Sequence, residues 1–450
     1  SLNARACMPP ALLFNFATTF WLMPLISTSA VLAQELVIVH TNDFHGHIQE
    51  TQKYAGAARI TAEVKAIREN NEAVIFLDAG DAISGTPVSS MFEGEPIFEV
   101  MNTMGYDVGL LGNHEFDHGY RKIERFRDIA EHPRLTANAY GPDGELLGDA
   151  PYVILDIAGI AVGIIGLVTE DSPKLFSPVG NEGLTFAAPA ERLDVLIPEI
   201  RPQVDVLILL AHIGHEEELA LAEQFQALDL IIGGHSHTLV EQPIQVGRTA
   251  VAQAHQYGTH LGLIRVNRAP GKPAGPLQIR GKLLKAKDLA EPDPRVENLV
   301  ALFESKVEDE VDVQISETTR AYSKIELQPI LESILAQAAG TELGFYNRRG
   351  IRDELSVGPV TARMLWNIEP FGNTLVRMRI KGKDLIVLLA QDPELHHSVP
   401  DIDPDRQYHL ATNSYIASHA ELAFGDDIKT VDTGLLIRDI LIQHIKANGL

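Results

Sequence analysis

The chain has 450 residues and a formal net charge of −24, from 37 Lys and Arg against 61 Asp and Glu. With 45% hydrophobic and 22% charged residues it has the balance of a globular protein of two or three domains. The acidic excess excludes a general nucleic-acid binder, which needs a basic stripe, and obliges any anionic substrate to find positive charge locally.

The opening segment, "SLNARACMPPALLFNFATTFWLMPLISTSAVLAQE", places Arg5 ahead of an apolar core from Ala11 to Leu25. Small residues follow at Ser27, Ser29, Ala30 and Ala33, the pattern of an export signal cut near Ala33. The competing reading is an uncleaved membrane anchor, which Asn15, Thr18, Thr19 and Pro24 weaken. No later apolar run approaches membrane length, so no stable membrane insertion is expected once the signal is gone. The only cysteine, Cys7, lies inside this segment. Any metal would therefore be held by His, Asp, Asn and Glu.

From Glu35 to Val266 short apolar runs alternate with helical patterns. The runs are "LVIVH", "AVIFLD", "VGLLG", "YVILDI", "AVGIIGLV", "VDVLILLA" and "LDLIIGG", and stretches such as "AARITAEVKAIREN" and "EEELALAEQFQAL" carry the helical period. Continuous Val/Ile/Leu runs suit strands covered on both faces, which predicts a layered α/β core. "PYVILDIAGIAVGIIGLV" holds two runs with no helix between them, so part of the sheet is antiparallel. "RAPGKPAGP" reads as a hairpin loop returning through "LQIRGKLLKA". The domain boundary falls at "DLAEPDPRVENLVALFESKVEDEVD", where Pro292 and Pro294 start a charged bridging helix.

Five of these runs end in metal-binding residue types. "VIVHTNDFHGH" delivers Asp43 and His45, and "AVIFLDAGD" delivers Asp81. "YDVGLLGNHEFDHG" delivers Asn113, His114 and Asp117. "VDVLILLAHIGH" delivers His212 and His215, and "LDLIIGGHSH" delivers His235 and His237. Functional groups in open α/β sheets gather beyond the carboxyl ends of the strands, so these side chains are placed to converge. One such residue has an ordinary reading, as Asp81 capping a helix would; five strand ends with one outcome do not. Oxygen and imidazole donors without sulfur suit Zn²⁺, Mn²⁺, Fe or Co. The set exceeds one tetrahedral ion and fits a two-metal site, which clamps a phosphoryl group and supplies positive charge inside an acidic protein.

In order and spacing, "HTNDFHGH", "DAGD", "GNHEFDHG", "AHIGHE" and "GGHSHT" resemble the calcineurin-like metallophosphoesterases of the 5′-nucleotidase family. That resemblance implies a layered α/β-β-α metallophosphoesterase domain with a second, smaller α+β substrate-binding domain. Residues 1–33 would be the export signal, 34–291 the dinuclear domain, 292–312 the linker helix and 313–450 the nucleotide-binding domain. It further implies two divalent metal ions, zinc, manganese or similar. Asp43, His45, Asp81 and His237 would hold one; Asp81, Asn113, His212 and His235 would hold the other. His237 stands where many relatives have Gln or Asn. His114 and Asp117 look like the family's His–Asp dyad, which stabilises developing phosphoryl charge. Outside that set, His40 reads as a packed core residue, His47 and His215 as supporting residues, and His118 as a solvated loop residue. Glu216–Glu218 reads as a helix start, where acids favour the positive dipole end.

The second domain carries the nucleoside elements in altered form. "FYNRRGIRDELSVGPVT" keeps Asn347, Gly350 and Arg352, with Arg348 and Arg349 at positions that are commonly small. "PFGNTL" is intact, and its Phe371 corresponds to one side of a base-stacking clamp. Tyr415 in "SYIASHAELAFGDD" would be the other side, and Glu421 takes the place of the ribose-binding Asp, without the usual paired glycines. Arg320 and Lys324 are both open as cations approaching the phosphate. Ordinary readings compete here: core aromatics for Phe371 and Tyr415, and a surface ion pair for Arg352. The expected protein is an exported, periplasmic or extracellular hydrolase of nucleoside 5′-monophosphates. The same scaffold admits UDP-sugar hydrolysis, 2′,3′-cyclic-nucleotide phosphodiesterase with 3′-nucleotidase activity, thiosulfohydrolysis, or a catalytically silent nucleotide-binding module.

Overall fold

The computed structural model describes residues 35–268, 277–391, 401–419 and 428–450. The export segment with Cys7, most of the "RAPGKPAGP" loop, and Glu421 lie outside the described residues.

Two six-stranded sheets form the centre of the first domain. In spatial order, one contains Leu277–Lys285, His260–Arg268, Leu36–Thr41, Ala73–Asp78, Val108–Leu110 and Arg134–Leu135. The other contains Ile244–Val246, Thr249–Ala252, Leu230–Gly233, Val206–His212, Ile160–Val168 and Tyr152–Ile157. The runs ending in candidate ligands are the parallel strands at the middle of each sheet. Tyr152–Ile157 and Ile160–Val168 pair antiparallel, as the missing helix between them requires.

Successive side chains on a strand face opposite ways, and both faces here are apolar. Leu36, Ile38, Ile75, Leu77, Val108 and Leu110 meet Val162, Ile164, Ile208, Leu210, Leu230 and Ile232 between the sheets. Their neighbours Val37, Val39 and Phe76 face the helices Gly56–Asn70, Glu95–Met104 and Pro294–Glu304. Leu207, Leu209 and Ala211 face Pro189–Ile200 and His215–Gln224. The result is a helix–sheet–sheet–helix stack. Val296, Val300 and Phe303 bind the bridging helix to the first domain's core, which also receives Trp366 from the second.

The second domain is built on a four-stranded sheet ordered Leu343–Gly344, Gln407–Asn413, Thr374–Lys381, Thr430–Leu436. Helices Lys324–Ala339 and Ile437–Asn448 pack on one face and Gly382–Gln391 on the other. Among the described residues no helix is long and apolar enough to cross a membrane.

One charged group sits inside the first sheet. Arg134, fully buried, donates to Asp78 Oδ2 at 2.6 Å and to the Leu110 carbonyl at 2.5 Å, and lies 3.6 Å from Glu115 Oε1. Asp78 and Glu115 are fully buried too, so one cation serves two carboxylates. Burial pushes both carboxyls up, Glu115 to about 7, against the pull of Arg134. Arg134→Met should therefore cost the first domain about 3–5 kcal/mol, because it strands buried acids without a partner. Urea unfolding followed by circular dichroism measures this directly; a midpoint unchanged from wild type contradicts it.

Candidate metal centre and substrate cavity

The strand ends are locked to one another before any side chain is considered. Asp43 N donates to the Gly80 carbonyl at 2.9 Å, and His45 N to the Asp81 carbonyl at 3.0 Å. The peptide after Leu36–Thr41 is thus bonded to the peptide after Ala73–Asp78. Within these turns Asp43, His45 and Asp81 have φ of 50°, 50° and 54°, and His235 and His237 have 73° and 55°. Non-glycine residues in this region cost about 1–3 kcal/mol each and persist only where the surroundings over-determine them. Glycines make room close by: a Cβ on Gly112 would lie 2.2 Å from Asp81 Oδ1, and one on Gly234 2.8 Å from His212 Nδ1.

Three groups of donor atoms result: Asp43, His45 and His237; His45, Asp81 and His114; and Asp81, His212 and His235. His237 Nε2 lies 3.1 Å from Asp43 Oδ1 and 3.3 Å from His45 Nε2. His45 Nδ1 donates toward the Ile83 and Ser84 carbonyls, both at 3.0 Å, so its Nε2 lone pair faces inward. His212 Nδ1 donates to the Ala79 carbonyl at 2.8 Å in the same manner. Its Nε2, buried, faces Asp81 Oδ2 at 2.9 Å without the alignment of a hydrogen bond. Asn113 Oδ1 is 2.9 Å from His235 Nδ1. Asp43 also accepts from His235 N at 3.0 Å and Asn42 Nδ2 at 2.6 Å.

The electrostatics match this crowding. Burial lowers His45 strongly, helped by Arg352, and takes His235 down to about 4. Burial opposes charge on His212 as well, but Asp81 and Asp43 outweigh it and hold that ring at about 10. Imidazoles tied through Nδ1 to backbone carbonyls, with the orphaned His212 Nε2 facing the carboxylates, are a donor set that fits divalent cations.

His114 Nδ1 lies 2.8 Å from Asp117 Oδ2, across the short turn His114–Phe116. Its Nε2 is 4.0 Å from Asp81 Oδ2, and Asp117 and Asp81 raise its pKa against burial. The ring of Phe371, from the second domain, stacks on it at 5.5 Å and 17°.

Both domains line a cavity of about 940 Å³. Asp81, Asn113, His114, Asp117, His235 and His237 face it from the first domain; Asn347, Arg352, Phe371 and Tyr415 face it from the second. Arg352 Nη2 donates to His45 Nε2 at 2.9 Å, and its guanidinium lies 5.6 Å from the Phe371 ring centre. Tyr415 bonds through its hydroxyl to the Lys174 carbonyl at 2.8 Å, and its ring tilts against His419. Of the two cations left open, Lys324 lines the cavity. Arg320 is ion-paired to Glu326 at 2.7 Å and lies over the Tyr322 ring.

Several expectations change. His118 is half-buried, with an Nε2 that finds no partner among the described residues, so it is not a solvated loop residue. Glu218 belongs to the acidic run that starts His215–Gln224, yet it is fully buried. Glu115 also went unrecognised: its carboxylate accepts from Gly112 N at 2.7 Å, Ala82 N at 2.8 Å and Asp81 N at 3.2 Å, splinting the turns that present Asp81. An acid within "GNHEFDHG" was its only signal. Tyr257 had none: it stacks on His47 at 4.2 Å, and its amide holds the Asp43 carbonyl at 2.8 Å.

Residues 36–239 match the family model described as calcineurin-like phosphoesterase, and residues 304–401 match the 5′-nucleotidase C-terminal domain. The trifunctional nucleotide phosphoesterase YfkN of Bacillus subtilis is 29% identical over 79% of this chain, which spans only 27% of that protein. A 5′-nucleotidase of Vibrio cholerae is 27% identical over 78% of this chain and 74% of its own. In fold, the 5′-nucleotidase precursor of Thermus thermophilus superposes with a TM-score of 0.83 at 24% identity, over 92% of this chain and 96% of its own.

Gly112→Ala drives a methyl group into Asp81. We expect the purified variant to retain less metal per chain after dialysis than wild type, by elemental analysis, while its far-ultraviolet spectrum is unchanged. Equal metal content would show that Asp81 tolerates displacement.

Proposed function

Because the chain belongs to the calcineurin-like metallophosphoesterases with a 5′-nucleotidase C-terminal domain, and is a metal-dependent phosphoester hydrolase, we propose that it cleaves nucleoside 5′-monophosphates or related nucleotides. The products are the nucleoside and phosphate. The observation that carries this reading is the shared cavity: imidazole and carboxylate clusters on one wall face a buried arginine and two aromatic rings on the other.

In this reading Asp43, His45, Asp81 and His237 would hold one divalent ion, and Asp81, Asn113, His212 and His235 would hold a second. Zinc- or manganese-type ions there supply a nucleophile at neutral pH and charge neutralisation for the phosphoryl group. The chain does the rest. Arg352 binds the phosphoryl oxygens, its fork suited to a planar or tetrahedral oxyanion. Asp117 holds His114 by Nδ1, so that Nε2–H donates to a phosphoryl oxygen as negative charge grows on it. Phe371 and Tyr415 form the two sides of a clamp for the base, and Asn347 stands at the cavity wall beside them. Glu421 remains the candidate ribose partner from the sequence. Export rests on the apolar, small-residue-terminated segment before Gln34.

Arg349 favours a second reading. It is exposed, lines the same cavity, and lies near enough to Tyr415 to act on its hydroxyl. A cation beside the base clamp suits a nucleotide with a second phosphoryl group, the UDP-sugar reading.

Phosphate release from 5′-AMP tests the main reading. Release should depend on added Mn²⁺ or Zn²⁺, stop with chelator, and fall about 10²–10³-fold in kcat for His114→Ala. Metal-loaded protein silent on 5′-AMP but active on cyclic or sugar nucleotides would move the assignment to those substrates.

A further inference from the structure

A second histidine–carboxylate pair faces the cavity, and nothing in the mechanism above uses it. His215 lines the cavity wall beside Ser236, to whose Oγ its backbone N donates at 3.0 Å. Its Nδ1 lies 3.3 Å from Glu218 Oε2, three residues on, the spacing that joins His114 to Asp117. The Glu218 carboxylate is fully buried. It accepts from Gln253 Nε2 at 2.9 Å and Gly234 N at 3.2 Å, and Gln253 is itself fully buried. The imidazole is therefore held by Nδ1 against a fixed acceptor, and Nε2 makes no hydrogen bond among the described residues.

The two pairs come from different sheets. His114 follows Val108–Leu110 and approaches Asp81, on the side of the phosphoryl oxygens. His215 follows Val206–His212 in the other sheet and meets Ser236, which lies in sequence between the candidate ligands His235 and His237. A phosphomonoester presents two kinds of oxygen that gain charge: the phosphoryl oxygens, and the ester oxygen that departs. A ribose alkoxide is a poor leaving group unless it receives a proton as it leaves.

Resting on the nucleotidase reading, we propose that His215 is the proton donor to the departing O5′, with Glu218 as the residue that positions it. Water oxygen forms the new P–O bond while the P–O5′ bond breaks. The electron pair of the broken bond stays on O5′, which takes the proton from His215 Nε2 and leaves as the nucleoside hydroxyl. The imidazole regains a proton from solvent, to which the attacking water gives one up.

The test compares two esters on metal-loaded, full-length protein: 5′-AMP, whose leaving group needs a proton, and p-nitrophenyl phosphate, whose leaving group does not. His215→Ala should lose 10²-fold or more in kcat on 5′-AMP. Its loss on p-nitrophenyl phosphate should be at least tenfold smaller, and added imidazole should restore part of the 5′-AMP rate. His215→Gln, which keeps polarity and bulk at the site, should show the same split with wild-type metal content and melting temperature. Equal losses on both esters, or no loss on 5′-AMP, overturn the inference while the nucleotidase reading stands. Metal-loaded wild type that releases phosphate from neither ester overturns both.

Discussion

Two carboxylates buried within a few ångströms of each other set the terms for this structure. Asp43 and Asp81 are both almost completely removed from water, where unpaired charges cost several kcal/mol each. Something positive must stand between them. The imidazoles of His45, His212 and His237 all come within 4 Å of one or both carboxylates. Burial disfavours charge on every one of these rings, yet His212 is held protonated by its two acids. A single shared proton is a weak answer to that much negative potential; a divalent cation is a better one. The donor set is thus one in which burial and two acids hold imidazoles against carboxylates, an arrangement that a divalent cation would balance.

The backbone bears the consequences. Five of the seven candidate ligands sit at positive φ, which no helix or strand supplies, so each must be fixed by something outside its own turn. The first two strand ends bond to each other. Glu115 grips the amides of Asp81, Ala82 and Gly112 from below, and Arg134 balances Glu115 and Asp78 one layer deeper. On the opposite sheet, Glu218 and Gln253 do the same for the turn carrying His235 and His237: Gln253 accepts from Thr238 N, and both hold Gly234. Each half of the centre therefore rests on one fully buried carboxylate that binds peptide N–H groups rather than the cation.

That arrangement explains which parts were legible beforehand. Val/Ile/Leu runs ended by His, Asp or Asn announce themselves, because a strand buried on both faces has no other polar residue to confuse the pattern; strand positions, a layered α/β core and the convergence of the strand ends follow from it, whereas the two-sheet layering came from the family resemblance. Glu115 and Glu218 escape the same reasoning. Their partners are backbone amides, or a glutamine 35 residues away, and no periodicity encodes such a contact. Glu218 was hidden in an acidic run that looks like a solvated helix start; the helical turn that places it under His215 also takes it out of water. Tyr257 had no local signal, since it acts through its amide and ring face. In the second domain the altered motifs located Arg352 and Phe371 at the cavity, but not that Phe371 would stack on His114 itself.

The cavity's charge distribution shows why two domains are needed. Among the described residues lining it, the first domain contributes carboxylates and histidines and no lysine or arginine; the second contributes Lys324, Arg348, Arg349 and Arg352 and no carboxylate. An anion arriving at the first domain alone meets only whatever charge the bound cation supplies, within a protein of net charge −24. An anion at the second domain alone meets arginines with nothing to react with. Only the juxtaposition gives a phosphoryl group positive charge on both sides. Direct contacts between the domains hold it: Arg352 to His45, Tyr415 to the Lys174 carbonyl, and Ser90 to the Pro370 carbonyl at 2.9 Å. Apolar packing joins them as well, with Trp366 of the second domain set in the first domain's core. On the proposed nucleotidase reading, binding energy from a nucleoside held on the second domain would help to hold Arg352 at the phosphoryl group, coupling recognition of the leaving group to its cleavage.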